Sequence, residues 1–125
     1  MDGLGIHVIA DLKQCDPLLI DDIEYVRDTL YEAAETLSVS VIGESFHKFS
    51  PQGVTGILSI AESHISVHTW PEALFVAIDI FTCGIKFDPN QTAIWLGSKF
   101  KSEDFDITVI DRGAGLALPT YGLSE

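Results

Sequence analysis

Apolar and polar residues alternate over several short segments of the chain, a pattern typical of strands that bury one face. Six segments are predicted as strands, at residues 5–14, 39–49, 54–61, 64–70, 73–83 and 105–111. Pro51 and Gly53 lie between the second and third segments and suit a tight connection, so these two strands should form a hairpin.

The alternation also indicates which side chains share a face of each strand. On the fourth strand it places three polar residues on one face: His64, Ser66 and His68. On the fifth strand it places Asp79, Phe81 and Cys83 on one face. The opposite face of the fifth strand is apolar and is predicted to hold Leu74, Val76, Ile78 and Ile80.

Two other segments repeat their apolar residues every three or four positions, as an amphipathic helix does. Asp16 and Pro17 fit the N-cap and first position of a helix predicted to run to about Ser38. The acidic residues on its polar side are interpreted as a solvated face: Asp21, Asp22, Asp28, Glu32 and Glu35. A second helix is predicted to start after Asp88 and Pro89 and to end near Lys101.

The resulting order β-α-β-β-β-β-α-β predicts an α/β (α+β) two-layer sandwich, in which two helices cover one face of a mainly antiparallel sheet. No linker divides the chain, so residues 1–112 are expected to form one domain. Residues 113–125 are rich in Gly, Pro and small side chains and are predicted to form a flexible C-terminal tail.

The net charge of −12, from 19 acidic and 7 basic residues, argues against nucleic acid or an anionic membrane as a partner. A cationic small molecule would instead be attracted. Because the chain has neither a membrane-spanning apolar run nor a signal peptide, a cytoplasmic protein is predicted. Its two cysteines, Cys15 and Cys83, are expected to be reduced and are too few to form a metal cage.

Residues 61–72 form a polar stretch between two strongly apolar segments, which is where catalytic chemistry is expected. The Ser63 hydroxyl can attack the carbonyl of Glu62 and convert the amide into an ester, after which β-elimination cuts the chain and leaves a pyruvoyl group at position 63. A pyruvoyl carbonyl forms a Schiff base with an amine and withdraws electrons from it. On spacing alone, a hydrogen-bonded turn at Ser63 and His64 is the preferred interpretation.

Three further residues have both a chemical and a structural interpretation. His68 is a possible general base or a histidine satisfied by a neighbour, and Cys83 is a possible proton donor or a buried inert thiol. Glu72 is a possible ligand for a diol or a turn cap. No metal-ligand spacing, phosphate-binding glycine loop or hydrolase motif occurs, so no metal is predicted. A hydrolase triad around Ser63 is disfavoured because the candidate residues crowd one strand.

Two long segments closely resemble the prokaryotic S-adenosylmethionine decarboxylase proenzymes: ESHISVHTWPE at residues 62–72 and DIFTCG at residues 79–84. The resemblance runs from Leu4 through FHKF at residues 46–49 and PQGV at residues 51–54 to Gly84, whereas the segment from Ile85 onward matches poorly. It implies a two-layer α/β sandwich that forms a homodimer, with sites near the interface. It also implies decarboxylation of S-adenosylmethionine for spermidine biosynthesis.

The resemblance further assigns roles in processing and catalysis. The chain would cleave itself between Glu62 and Ser63, and Ser63 would become the pyruvoyl cofactor. His68 corresponds to the processing base, and Cys83 to the residue that reprotonates the substrate carbon after carbon dioxide leaves. Thr55 corresponds to a hydroxyl residue that assists processing, a position where the bacterial pattern often has serine.

Substrate-binding positions also follow from the resemblance. Phe49 and Glu72 correspond to the adenine-stacking and ribose-binding residues, and Leu4 is a further contact from the N-terminus. Two alternatives remain open at this point. The pyruvoyl machinery could serve arginine or ornithine as substrate, or the chain could be a non-catalytic, unprocessed partner subunit.

Overall fold

The structure of the chain, a computed structural model, describes residues 3–61, 63–83 and 87–116. Within these residues the chain forms six strands, three α-helices and one 3-10 helix. In order they are β1 (Gly5–Lys13), α1 (Pro17–Ile20), α2 (Ile23–Thr36), β2 (Val41–Lys48), β3 (Val54–Ile60), β4 (Ser63–Trp70), the 3-10 helix (Pro71–Ala73), β5 (Phe75–Thr82), α3 (Pro89–Lys99) and β6 (Asp104–Arg112).

The strands form one antiparallel sheet in the order β2-β3-β4-β5-β1-β6. Strands β2 to β5 follow one another along the chain and pair as neighbours. The N-terminal strand β1 then lies between β5 and β6, so the connection through α3 passes over it. A sequence of alternating segments does not reveal this insertion, because each strand has the same period wherever it pairs.

The hydrophobic core lies between one face of the sheet and the helices. Helix α2 packs on β2 and β3, and α3 packs on β1 and β6. Alternate apolar residues of the central strands are almost fully buried on this face: Val8, Ala10, Leu12, Leu58, Ile65, Val67, Val76, Ile78 and Ile80. The opposite face of the sheet, called here the open face, carries the intervening residues, including His64, Ser66 and His68 of β4.

The predicted two-layer architecture, the six strands and their faces are confirmed, with strand ends that shift by up to two residues. The start of β5 differs because Pro71 initiates a 3-10 helix and Leu74 adopts a left-handed conformation with φ 54°. Leu74 therefore lies before the strand and is 39% exposed, although the alternation predicted it on the buried face. The predicted N-cap of the first helix is also present, since Asp16 accepts a hydrogen bond from Leu18 N. Asp88 caps the last helix by accepting a hydrogen bond from Asn90 N, and this helix starts at Pro89, one residue earlier than predicted.

The prediction of one continuous first helix is wrong. The chain instead forms the short α1 and the longer α2, with a break at Asp21 and Asp22. The Asp22 carboxylate accepts hydrogen bonds from the backbone N–H groups of Glu24 and Tyr25, which makes it the N-cap of α2. These two acidic residues are thus structural parts of a helix break and not members of a uniform solvated face.

None of the helices in the described residues is long and apolar enough to cross a membrane. The predicted tail at residues 113–125 begins after β6 with a turn at Gly113. Residues 117–125 of that tail lie outside the described residues. The division into a domain at residues 1–112 and a flexible tail therefore remains a prediction.

The N-cap of α2 can be tested by Asp22→Ala. Removing the capping carboxylate leaves two amide groups at the helix start without their side-chain acceptor, so the free energy of unfolding should fall by about 1 kcal/mol. Urea denaturation followed by circular dichroism measures this change. The matched control is Asp28→Ala, which removes the same charge from an exposed position of the same helix. Equal stability of the two variants would contradict the capping role.

Candidate active site

Ser63 and Cys83 lie next to each other although they are far apart in the sequence. The Cys83 backbone N–H donates a hydrogen bond to Ser63 Oγ over 3.2 Å. This contact follows from the register of the sheet, in which His64 at the start of β4 pairs with Phe81 near the end of β5. The two residues predicted to supply the cofactor and the proton donor are therefore brought to one end of the sheet. Glu62, the other residue of the predicted cleavage site, lies outside the described residues.

A cavity of about 420 Å³ opens beside Cys83 and is called here the Cys83 pocket. Its lining residues are Leu4, Gly5, His7, His64, Phe81, Cys83, Arg112 and Gly113. Leu4 is held there by a hydrogen bond of 2.8 Å from its backbone N–H to the Arg112 carbonyl. Of the three predicted substrate-binding residues, Leu4 thus lines the Cys83 pocket, whereas Phe49 and Glu72 do not.

Histidines flank the aromatic ring of Phe81 in this pocket. The His64 ring stacks on Phe81 at a centroid distance of 6.0 Å, and the His7 ring meets it edge-on at 6.2 Å. His7 Nε2 also lies 3.5 Å from an Asp79 carboxylate oxygen. Sequence reasoning missed His7, because a single histidine in a predicted strand carries no signal until the register places β1 beside β5.

A second cavity, of about 350 Å³, is called here the His68 pocket. It is lined by Phe49, Gln52, Gly53, Thr55, His68, Thr69, Trp70 and Glu72. Four residues predicted to assist processing or bind substrate are therefore grouped in it, namely Phe49, Thr55, His68 and Glu72. Thr55 and His68 are register partners on β3 and β4, and Thr55 Oγ1 lies 3.2 Å from His68 Nδ1, within hydrogen-bonding distance.

Aromatic side chains form one wall of the His68 pocket. Phe49 is 47% exposed and packs edge-on against His47 with ring centroids 4.5 Å apart. Trp70 follows His68 on the same face of β4, and their ring centroids are 6.2 Å apart. Sequence reasoning did not single out Trp70, although an exposed tryptophan two positions from His68 on an alternating strand was an available signal.

The two pockets lie at opposite ends of β4 on the open face. Ser63 and His68 are separated by five residues of extended strand, which at the usual rise corresponds to roughly 17 Å. A histidine side chain does not cover that distance. One chain therefore brings Ser63 to Cys83 and His68 to Thr55, but it does not bring His68 to Ser63.

The two cysteines differ in environment. Cys15 is buried at 3% exposure, and burial raises the pKa of its thiol to about 11. Cys83 is partly exposed at the edge of its pocket. Both thiols are free, as predicted. Within the described ranges, no group of three or more His, Cys, Asp or Glu side chains is arranged to hold a metal ion, and the prediction of no bound metal stays a prediction.

The fold is a two-layer α/β sandwich with clusters of candidate catalytic side chains on its open face, and this arrangement is that of an enzyme. A family model described as S-adenosylmethionine decarboxylase matches residues 6–113 of the chain. The chain belongs to this family. The match continues through α3 and β6, and so extends past Gly84, where the resemblance read from the motifs ended.

Individual relatives agree with the family match. The chain is 39% identical to an S-adenosylmethionine decarboxylase proenzyme of Clostridium tetani over 113 residues, which covers 90% of each protein. It is 42% identical to the proenzyme of Pyrococcus abyssi, covering 90% of this chain and 81% of that one. The crystal structure of the adenosylmethionine decarboxylase from Aquifex aeolicus is similar with a TM-score of 0.85 and 30% identity, covering 95% of this chain and 98% of the other.

The different environments of the two thiols can be tested by alkylation of the native protein near neutral pH. Cys83 should react, because it is partly exposed, whereas Cys15 should resist, because burial both shields it and raises its pKa. Mass spectrometry should therefore find about one label per chain. The Cys83→Ser variant should then take up almost none, while Cys15→Ser should still take up one. Rapid labelling of Cys15 in the folded protein would contradict the buried position.

Proposed function

We propose that this chain cuts itself between Glu62 and Ser63 and then decarboxylates S-adenosylmethionine, giving the aminopropyl donor for spermidine. The observation that carries the proposal is the placement of Ser63 Oγ against the Cys83 backbone N–H, beside the Cys83 pocket, in a member of this family. The name proenzyme, borne by the relatives, agrees with a chain that requires processing.

Processing begins with the Ser63 hydroxyl. Its oxygen attacks the Glu62 carbonyl carbon, and the amide between the two residues becomes an ester as the acyl group moves from nitrogen to oxygen. A base then removes the α-proton of residue 63, and the carboxylate of Glu62 leaves as the carbon–oxygen bond breaks. Tautomerisation and hydrolysis of the remaining enamine release ammonia and leave the pyruvoyl group at the new N-terminus.

His68 is proposed as the base that removes the α-proton, and Thr55 as its positioning partner. When His68 Nδ1–H donates to Thr55 Oγ1, the lone pair of Nε2 is free to accept a proton. The contact also holds the ring in one orientation on the open face. Threonine keeps the hydroxyl that this arrangement needs, so the difference from the serine of the bacterial pattern leaves the interaction intact.

The residues around Ser63 fit a pyruvoyl group at this position. The Cys83 backbone N–H that donates to Ser63 Oγ loses this acceptor when the oxygen leaves with the Glu62 carboxylate, so it can then donate to the new carbonyl oxygen at residue 63. Cys83, His64 and Phe81 line the space beside it. A bound pyruvoyl group supplies a carbonyl that bonds to the substrate amine and accepts the electrons released with carbon dioxide. The Cys83 thiol, which lines the same pocket, is proposed to deliver a proton to the substrate carbon that has lost its carboxyl group.

Substrate binding is assigned to the His68 pocket and to Leu4. The exposed ring of Phe49 offers a stacking surface for adenine, and the Glu72 carboxylate can accept hydrogen bonds from the ribose hydroxyls. The net charge of −12 favours the approach of a sulfonium cation. Leu4 lines the other pocket, so a substrate that touches both sets of residues must connect the two pockets.

Because the two pockets of one chain lie apart, we propose that the active unit is a homodimer joined through the open faces. A two-fold axis would place the His68 pocket of one protomer over the Cys83 pocket of its partner, and each dimer would contain two complete sites. Three exposed apolar residues on the open face support an interface there: Ile57, Trp70 and Ile110. A cytoplasmic location is part of the same proposal.

Self-cleavage is tested by the intact mass of the purified protein after prolonged incubation. The expected products are chains of nearly equal length, residues 1–62 and 63–125, the second carrying a pyruvoyl N-terminus. Ser63→Ala should stay whole and inactive because it lacks the attacking hydroxyl. A wild-type chain that remains uncut would contradict the proposal.

The same protein then serves for a carbon dioxide release assay with S-adenosylmethionine, arginine and ornithine. Release from S-adenosylmethionine alone is expected. Cys83→Ala should still cleave, but it should release carbon dioxide about 10²-fold or more slowly, because a positioned proton donor is lost. No release from S-adenosylmethionine by cleaved protein would overturn the substrate assignment.

Sharing of the active site is tested by mixing two inactive chains. Ser63→Ala and His68→Ala should each stay uncut when expressed alone. When they are co-expressed, a mixed dimer contains one complete site, formed by Ser63 of the His68→Ala chain and His68 of the Ser63→Ala chain. The His68→Ala chain should therefore be cleaved in the mixture and nowhere else. Absence of cleavage in mixed dimers isolated with two different tags would contradict a shared site.

A further inference from the structure

The loop between β2 and β3, residues 49–53, is fastened to the helical layer by a single carboxylate. Asp21, at the break between α1 and α2, accepts a hydrogen bond of 2.8 Å from the Gly53 backbone N–H. The same oxygen lies 3.0 Å from Lys48 Nζ. Sequence analysis placed Asp21 on a solvated helix face, but the break in the helix directs its side chain to this loop.

These contacts close a ring around Phe49. Lys48 Nζ also donates to the Phe49 carbonyl over 3.4 Å, and the Phe49 N–H donates to the Gly53 carbonyl over 2.8 Å. The Phe49 N–H is thus linked to the Asp21 carboxylate through Gly53, and the Phe49 carbonyl is linked to it through Lys48. We call the set Asp21, Lys48, Phe49 and Gly53 the loop clamp.

The other side of the loop is fixed by β4. The Val54 N–H donates to Thr69 Oγ1 over 2.9 Å in a buried hydrogen bond. Gly53 has φ +111°, and a β-carbon at this position would lie 3.3 Å from the Thr69 carbonyl oxygen. Gly53 therefore allows the close approach of the two backbones, and the loop is held between Thr69 and Asp21.

The charge of the Asp21 carboxylate strengthens the loop clamp. The hydrogen bond from the Gly53 N–H has the larger effect in lowering the pKa of Asp21, and the Lys48 ammonium lowers it further, because both stabilise the carboxylate form. Asp21 is therefore ionised at neutral pH, where it accepts both hydrogen bonds. Protonation of the Asp21 carboxylate would weaken both contacts. Because the pKa of Asp21 lies below the ordinary value of 3.8, this loss occurs only at a pH below that value.

Phe49 depends on its backbone for its position. Its side chain is 47% exposed, so packing restrains it little, yet it lines the His68 pocket. From the loop clamp we infer that Asp21 is a positioning residue for the substrate: it fixes the loop so that the Phe49 ring faces the nucleoside. This inference rests on the function proposed above, in which Phe49 stacks on adenine.

The test uses binding of S-adenosylmethionine to the uncleavable Ser63→Ala chain, measured by calorimetry, so that no turnover interferes. Asp21→Ala should raise the dissociation constant about tenfold, because Phe49 must then be ordered at the expense of binding free energy. Asp21→Asn keeps an acceptor for Gly53 but loses the charge that holds Lys48, so it should show a smaller increase. The matched control Asp28→Asn removes an equal charge from α2 and should bind as tightly as the parent.

A second readout follows the loop itself. In NMR spectra of the same chains, the Gly53 amide resonance should move upfield in Asp21→Ala and stay in place in Asp28→Asn, because only the first loses the carboxylate acceptor. In the cleavable chain, Asp21→Ala should raise the KM for S-adenosylmethionine while leaving kcat and self-cleavage within about twofold. A general loss of stability would instead lower all of these together.

The outcomes separate the two proposals. An unchanged dissociation constant for Asp21→Ala, in a parent chain that does bind S-adenosylmethionine, overturns the role of Asp21 alone. An unmoved Gly53 amide overturns the loop clamp. If cleaved wild-type protein neither binds nor decarboxylates S-adenosylmethionine, the proposed function fails and the substrate-positioning role fails with it, even where the Gly53 amide responds to Asp21.

Discussion

His64 pairs with Phe81 in the antiparallel register between β4 and β5, and this pairing sets the position of Ser63. It brings the Ser63 hydroxyl within hydrogen-bonding distance of the Cys83 amide. A shift of one residue would turn every side chain of β4 to the other face, exposing Ile65 and Val67 and burying His64 and His68. The hydrophobic core therefore enforces the register, and the register builds the candidate active site.

The stiffness of β4 has a second consequence. An extended strand keeps its ends apart, so Ser63, beside Cys83, and His68, in the His68 pocket, stay roughly 17 Å apart. A flexible loop could fold back and join them, but a central strand paired on both sides cannot. The proposed homodimer thus rests on strand geometry, and it would give the open face, with its exposed apolar residues, the role of an interface.

The helical layer contributes more than cover for the core. The break between α1 and α2 lets Asp22 cap the longer helix and lets Asp21 reach the loop that carries Phe49. Asp21 and Asp22 are thus identical neighbouring side chains with different contacts, one to the loop and one to the start of α2. Helix ends are common places for such differences, because their geometry frees side chains to bond with other parts of the chain.

The sequence determined the strands, their buried faces and the capped start of the first helix, because these depend on local patterns of residues. Its long motifs, ESHISVHTWPE and DIFTCG, also identified the family and the candidate site residues. Only the tertiary structure decided that β1 inserts beside β5, that Asp21 leaves the helix, and that the site residues divide between two pockets. These features depend on the pairing and packing of distant segments, which no local pattern records.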